Sequence, residues 1–530
     1  MNIAEILRGH AAMRPDAAAI VDTWRGRSRR TSFAELDRAA ARAATLLWEQ
    51  GLRPGDAVLV FHPMSAELYV ALLAIFRLGL VAMFLDPSAG TEHIERCCAL
   101  HGPRALIAST RAHLLRLWSP AVRRIPLRFV IGLPVPGAVR WSRLARMPAH
   151  EEVIPCAPET PALLTFTSGS TGQPKAAVRS HGFLRSQHLV FARSLDLRAG
   201  DIDLTTMPIV LLANLASGVT SVIPNADLRR PGEIAPGPVL AQIHAHQPVS
   251  SVASPAFFEC LARQAGAQRT PLSSFRKLFT GGAPVFPRLL DQMQALAPQA
   301  DVVALYGSTE AEPIAHVSRR HVRSQDLQAM LEGRGLLAGQ PDEALRLCIL
   351  RDRWGTPVGP LTATEFAADC MGALQPGEIV VSGDHVLGGY LHGHGDLETK
   401  LKVDGVTWHR TGDAGYLDLE GRLWLLGRCV ARIEDRHGVL YAFAAETAVY
   451  QDPAIRRAAM VAHAGRRVLA IELVDGQRDA ALARLRDTLA WTRLDDIRVL
   501  PRIPVDKRHN AKIDYPSLYA LLDKTGAPRA

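Results

Sequence analysis

The sequence predicts an α/β fold, and three observations carry the prediction. Helical and strand patterns alternate from the N-terminus to about residue 310, which implies a largely parallel sheet with helices on its faces. The strand-like runs end in small or polar residues, the place where open α/β sheets bind ligands. Apolar residues make up 48% and charged residues 21% of the 530-residue chain. That balance excludes a disordered, collagen-like or low-complexity protein, and the length suggests about three or four structural units.

The elements follow in order. Ser32-Phe-Ala-Glu35 is a capping box that opens the Ala-rich helix DRAAARAATLLWEQ, and Gly51 ends it. GDAVLVF (55–61), RALIAS (104–109) and RFVIGL (128–133) read as buried strands. The longest apolar run, Leu68 to Leu85, has Arg77 in its middle and Gly79 just beyond. A membrane-spanning helix needs about 20 apolar residues with few charges. The run therefore predicts a buried helix, a stop at Gly79 and a strand over Leu80–Leu85. Between 161 and 310, LLTF, DIDLTTM, VSSVAS, FRKLFTGG and DVVALYG repeat the strand pattern. From about 345 the texture changes to short, turn-separated strands, LRLCIL, GEIVVSG, WHRTGD, AGYLDLEG and RLWLLGR, which predict a β-rich subdomain. The last hundred or so residues, with the charged helix RDAALARLRDTLAWTRL, predict a small α/β unit beginning near Arg428.

The net charge is +9, but only seven of the 61 basic residues are lysines. The arginines are spread along the chain with no long basic block, which reads as a solvated surface in an Arg-rich coding background and not as a nucleic-acid interface. The start, MNIAEILRGHAAMRPD, lacks the basic and apolar regions of a secretory signal. Seven Cys stand at 97, 98, 156, 260, 348, 370 and 429 without a C-x-x-C pair. Neither a disulfide framework nor a zinc ribbon is expected. A reducing, cytoplasmic setting and no integral membrane segment are the expectation.

The strand LLTF leads into Thr167-Ser168-Gly169-Ser170-Thr171-Gly172-Gln173-Pro174-Lys175. Two glycines let backbone N–H groups turn inward, three hydroxyls donate, and one lysine supplies a point charge, all suited to a polyphosphate. Walker spacing is absent. This stretch resembles the phosphate loop of the AMP-forming adenylate superfamily of acyl-CoA synthetases, peptide-synthetase adenylation domains and luciferases. Tyr306-Gly307-Ser308-Thr309-Glu310, Thr411-Gly-Asp413, Gly427-Arg428 and Lys512 match that family's further motifs in its order.

The resemblance implies a large N-terminal adenylation domain (1–428) of stacked mixed sheets with helices plus a β-rich subdomain. It also implies a small mobile α+β lid domain (429–530) that carries the catalytic lysine. It implies an enzyme that joins a carboxylate to the α-phosphorus of ATP and releases pyrophosphate. Residues 167–172 and Lys175 would hold the β- and γ-phosphates, Thr309 the α-phosphate, and Glu310 a Mg²⁺ ion. Tyr306, with Gly307 and Ser308, would stack on adenine beside Gly281, Gly282 and Ala283. Asp413 would accept the ribose hydroxyls near Arg428, and Lys512 would bridge carboxylate and phosphate. Lysine is scarce here, yet 175 and 512 both have it, and a compact mobile ammonium is not replaceable by a guanidinium.

Departures from the family bear on the second half-reaction. Leu211, in Met207-Pro-Ile-Val-Leu211, stands where many acyl-CoA synthetases have His; K-A-A-V follows the loop in place of K-G-V. Cys429 occupies the hinge position and Glu434 replaces a tunnel lysine, so that Glu434 and Asp435 would set negative charge against coenzyme A. WHRTGDAGYLDLEGRLWLLGR (408–428) and IPVDKRHNAKID (503–514) resemble the olefin-pathway β-lactone synthetases. That branch implies a 3-hydroxy fatty acid whose own hydroxyl displaces AMP. Transfer to CoA or to an acyl carrier protein stays open as the other fate, with pathway enzymes as partners. A noncatalytic nucleotide- or lipid-binding homologue is opposed by the intact Lys175, Glu310, Asp413 and Lys512.

Three weaker signals remain. Phe257 and Phe258, after Ser254-Pro255, either line an acyl pocket with Leu211 or belong to the core. His392 and His394 lack a third ligand and read as exposed. Cys97 and Cys98 read as helix packing.

Overall fold

The computed structural model describes residues 2–85, 90–168, 174–267, 271–474, 478–505 and 513–526. They form two compact units. The first comprises Met1–Leu228, Ala235–Ala253 and Asp384–Asp396, and the second Arg229–Ile234, Ser254–Gly383 and Leu397–Ala530.

In the first unit a seven-stranded sheet runs in the order Val139–Arg140, Leu127–Ile131, Ala105–Ser109, Ala57–Phe61, Val81–Phe84, Pro161–Ser168, Pro174–Ser180. All neighbours are parallel except the last pair. Strands Ser250–Ala253, Ile202–Thr205, Thr220–Val222 and Ala18–Trp24 form a second parallel set, with Arg27–Ser32 antiparallel at its edge. One apolar core takes side chains from both sets and from helices Phe33–Glu49, Ala66–Arg77, His181–Ser194 and Pro208–Ser217. Burial on two faces explains why the strands read as continuous apolar runs.

The local signals act as expected. Ser32 and Glu35 close a reciprocal capping box at the start of Phe33–Glu49. The long apolar run divides into helix Ala66–Arg77 and strand Val81–Phe84, and Gly79 takes a left-handed φ of 62° at the turn. Arg77, though 1% exposed, is not stranded: its guanidinium donates to Asp37 Oδ1 at 2.6 Å and to the His150 carbonyl at 3.2 Å. Cys97 and Cys98 are buried on helix Thr91–Leu100.

In the second unit Lys277–Thr280 lies parallel to Asp301–Ser308. The antiparallel strands Ala311–Ser318, Leu336–Pro341, Leu423–Arg428, Val406–Leu417, Gly377–Ser382 and Arg346–Leu350 follow, with Lys400–Val403 beside Val406–Leu417. A three-stranded sheet of Ile455–His463, Arg466–Leu473 and Asp496–Val499 packs against helices Ala442–Val449 and Arg478–Thr488, and the hairpin Arg432–Asp435/Gly438–Tyr441 precedes it.

Two expectations change. WHRTGD and the AGYL that follows belong to one 12-residue strand, Val406–Leu417, with a register shift between Ala414 and Gly415, and Asp418-Leu-Glu-Gly421 is the turn after it. A side chain at Gly415 would meet the Trp424 carbonyl at 2.5 Å, so close strand approach is what that glycine serves. Cys348 and Cys370 form a disulfide, where no disulfide framework was expected. They are 22 residues apart in sequence, and Leu350 bridges Cys370 in a short antiparallel contact, a pairing that C-x-x-C spacing does not reveal.

Candidate active site

The second unit gathers one constellation. Tyr306, Gly307 and Ser308 end the strand Asp301–Ser308, and Thr309–Glu310 form the two-residue turn into Ala311–Ser318. The turn is tied by a bond from the Glu310 N–H to Ser308 Oγ at 3.3 Å. Gly281 and Gly282 follow the neighbouring strand Lys277–Thr280. A Cβ at Gly281 would sit 2.8 Å from the Leu305 carbonyl, and Gly282 has a φ of 82°, so the chain can pass here only without side chains.

The T-G-D motif holds its carboxylate from below. Thr411 Oγ1 donates to the Ile379 carbonyl at 2.8 Å and accepts the Asp413 N–H at 3.0 Å. The strand carrying it is pinned by Arg410, which donates to Glu378 Oε2 at 2.6 Å with both side chains 1% exposed. Asp413 and Arg428 are cross-strand partners, and Arg428 Nη1 donates to Asp413 Oδ1 at 2.9 Å. The Asp413 charge pushes the Arg428 guanidinium up. Tyr306 donates its phenol to Asp413 Oδ2 at 2.8 Å. Burial, with the Asp413 carboxylate, holds that phenol well above its ordinary range, so it stays a donor. Each carboxylate oxygen thus has one donor and a further lone pair to offer. Sequence reasoning named all three residues but not this bond.

The first unit gathers the other constellation. Lys175 lies opposite Thr167 across the antiparallel pair Pro161–Ser168/Pro174–Ser180, and its side chain is buried. Its ammonium is 5.7 Å from the Tyr390 ring centroid. Gly395, with a φ of 102°, lies under it: a Cβ there would fall 2.5 Å from Lys175 Cδ and 2.7 Å from Nζ. Ala177 and Tyr390 bridge, and the Tyr390 N–H donates to Asp396 Oδ1 at 2.9 Å. The Gly-rich segment 388–396 is therefore the floor of the lysine. His392 and His394 are exposed, as expected.

Gly169, Ser170, Thr171, Gly172 and Lys512 lie outside the described residues, and Thr167 and Ser168 are described as strand backbone. Leu211 is fully buried on helix Pro208–Ser217. Phe257 and Phe258 are 0% and 2% exposed with centroids 5.8 Å apart, an edge-on core pair.

The charge expected of Glu434 and Asp435 is largely compensated. Arg467 Nε and Nη2 grip Asp435 Oδ2 and Oδ1, both at 2.7 Å, and hold its carboxyl below the usual range. Glu434 pairs with Arg432 at 2.7 Å. Repulsion of an anionic ligand by these two carboxylates is correspondingly weak. Cys429 is buried in a short helical turn, Cys429–Ala431.

Residues 7–391 match the family model described as AMP-binding enzyme. The chain belongs to the AMP-binding enzyme family. It is 31% identical over 507 residues to the olefin beta-lactone synthetase of Stenotrophomonas maltophilia strain K279a, covering 91% of this chain and 89% of that protein. It is equally 31% identical over 548 residues to the olefin beta-lactone synthetase of Xanthomonas campestris pv. campestris, covering 97% and 96%. In fold it matches the crystal structure of the anthranilate CoA ligase AuaEII in complex with anthranoyl-AMP, with a TM-score of 0.82 at 18% identity, covering 98% of this chain and 97% of that one. This AMP-binding enzyme is an AMP-forming acid ligase that uses ATP. Among the described residues no group of three or more His, Cys, Asp or Glu side chains is placed to hold a metal ion.

Proposed function

We propose that the ligase activates a 3-hydroxy fatty acid and closes it to a β-lactone. In the first step a carboxylate oxygen bonds to the α-phosphorus, the bond from that phosphorus to the bridging oxygen breaks, and pyrophosphate leaves. In the second the substrate's 3-hydroxyl oxygen bonds to the acyl carbon. The bond from the acyl carbon to the phosphate oxygen of the mixed anhydride breaks, AMP leaves and the hydroxyl proton is released. No side chain acts as nucleophile, so the residues act by positioning and charge stabilisation.

The proposed roles are specific. Residues 167–172 and Lys175 bind the β- and γ-phosphates, with segment 388–396 fixing the lysine. Thr309 meets the α-phosphate. Glu310 holds Mg²⁺, which when bound neutralises charge on the leaving pyrophosphate. Gly281, Gly282, Ala283, Tyr306, Gly307 and Ser308 frame adenine. Asp413 accepts the ribose hydroxyls on the lone pairs that Tyr306 and Arg428 leave, and Lys512 joins substrate carboxylate to phosphate. The functional division falls at 428/429, with 1–428 the adenylating body and 429–530 the lid carrying Lys512.

The observation that carries the lactone reading is the full-length likeness to two proteins named olefin beta-lactone synthetases. An intramolecular hydroxyl also has the high effective concentration of a tethered nucleophile and needs no acceptor tunnel. The competing reading, transfer to CoA or a carrier protein, is favoured by one observation: Arg467 neutralises Asp435, which removes a barrier to an anionic acceptor. AMP release separates them. With a 3-hydroxy acid alone, release continues through many turnovers; with the 3-deoxy acid alone no AMP leaves, and pyrophosphate release stops at about one equivalent because the adenylate stays bound. Multiple turnover only when CoA is added overturns the lactone reading.

A further inference from the structure

One face of the first unit is unlike the rest of the chain. Between Glu95 and Glu151 the sequence has ten arginines and no Asp, Glu or Lys. The basic residues are not consecutive, so they escape a search for a block. The fold brings many of them to the edge of the seven-stranded sheet, around Leu127–Ile131 and the edge strand Val139–Arg140.

Arg116 Nη1 donates to the Pro136 carbonyl at 3.2 Å and Arg128 Nη2 to the Arg123 carbonyl. Both guanidiniums lie within 4 Å of a Cβ placed on Gly137, so two like charges sit side by side. Their Nε atoms are buried without a hydrogen-bond partner. Among the described residues no carboxylate pairs with Arg111, Arg116, Arg123, Arg124 or Arg128, while Arg104 nearby has Asp56 at 3.5 Å and Arg96 has Glu92 at 2.6 Å. Crowded guanidiniums without a carboxylate partner favour an external anion.

The same face exposes large apolar side chains. Leu114, Leu117 and Trp118 are 49%, 66% and 63% exposed at the short helix Leu115–Trp118, and Leu133 is 72% exposed. The two segments run beside each other: Thr110 Oγ1 donates to the Leu133 carbonyl at 2.9 Å, and Arg116, on the helix, donates to the Pro136 carbonyl at 3.2 Å. Scattered apolar residues need no explanation, but a contiguous set marks an interaction surface.

We propose that this face docks on an anionic phospholipid bilayer, with guanidiniums on headgroup phosphates and Trp118, Leu114, Leu117 and Leu133 in the interfacial layer. The combination decides the occupant. Guanidinium forks match phosphate oxygens, and Trp with flanking leucines suits the apolar-to-wet boundary. An acidic soluble protein would satisfy the arginines but not four projecting apolar side chains. Docking is peripheral, since among the described residues no helix is long and apolar enough to cross a membrane. The inference does not depend on the acyl substrate or on the lactone step.

The test is co-sedimentation of the full chain with phosphatidylcholine vesicles, with and without phosphatidylglycerol. Binding should be about ten-fold greater to the anionic vesicles and fall steeply with salt. The double variants Leu117→Glu/Trp118→Glu and Arg123→Gln/Arg124→Gln should each lose about ten-fold of it while retaining wild-type circular dichroism and carboxylate-dependent pyrophosphate exchange. Equal partition to neutral vesicles overturns the proposal. So does wild-type binding by Leu117→Glu/Trp118→Glu, which would reveal charge adhesion alone, and so does variant-sensitive binding to soluble polyglutamate without binding to vesicles.

Discussion

Asp413 is held between Tyr306 and Arg428, with the phenol on Oδ2 at 2.8 Å and the guanidinium on Oδ1 at 2.9 Å. The carboxylate is thereby pointed before any nucleotide arrives, and bonds to an ionised acceptor are each worth about 1.5–3 kcal/mol. The Tyr306→Phe variant should raise the KM for ATP by about ten-fold with little change in kcat. Asp413→Ala should weaken ATP more and should abolish the preference for ATP over 2′-deoxy-ATP. Discrimination that persisted in Asp413→Ala would assign the ribose to another residue.

Gly395 tests the floor under Lys175. Its φ of 102° is strained for any side chain, and a Cβ would strike the lysine stem at 2.5 Å. The Gly395→Ala variant should lose about 1–3 kcal/mol of unfolding free energy and have a lower kcat/KM for ATP. In a Lys175→Ala background the activity loss should largely vanish, because the two changes act through one side chain. Additive losses would place Gly395 outside the phosphate site.

Lys512 is assigned from its motif. Lys512→Ala should reduce acyl-adenylate formation by about 10²–10³-fold while ATP binding, read by calorimetry, stays near wild type. Collapse of ATP affinity with normal turnover would contradict the role.

Glu446 links stability to pH. It is buried on helix Ala442–Val449, accepts the Met460 N–H at 2.9 Å, and burial pushes its carboxyl from 4.5 up to about 7. Between those values the unfolded chain has released a proton that the folded chain keeps. This contribution to stability is full below pH 4.5 and declines as pH rises toward 7, by at most about 3 kcal/mol. Thermal unfolding of Glu446→Gln should match wild type near pH 4.5 and exceed it at pH 7.5. The reverse order would mean that Glu446 is ionised in the folded protein.

Local chemistry was legible in the sequence, and distant pairing was not. Ser32 with Glu35, Gly79, and the strand ends at Thr280 and Ser308 act through neighbours in the chain, and each appears where its residue type predicts. The Tyr306, Asp413 and Arg428 set was readable because each member sits in a short motif. Tyr390 and Gly395 beneath Lys175, Arg467 on Asp435, and Cys348 with Cys370 depend on contacts between segments far apart in sequence, for which neither periodicity nor motif spacing carries a signal. The acid-free Arg stretch was visible in composition, but its meaning came only with Trp118 and Leu133 exposed on neighbouring segments beside it.

Lactone closure is tested most directly by the mass of the product formed from a 3-hydroxy fatty acid and ATP with no CoA present. Closure by the substrate's own hydroxyl predicts a neutral product lighter than the acid by one water, accumulating in step with AMP. A thioester formed only when CoA or a carrier protein is supplied, with no dehydrated product in its absence, would contradict it.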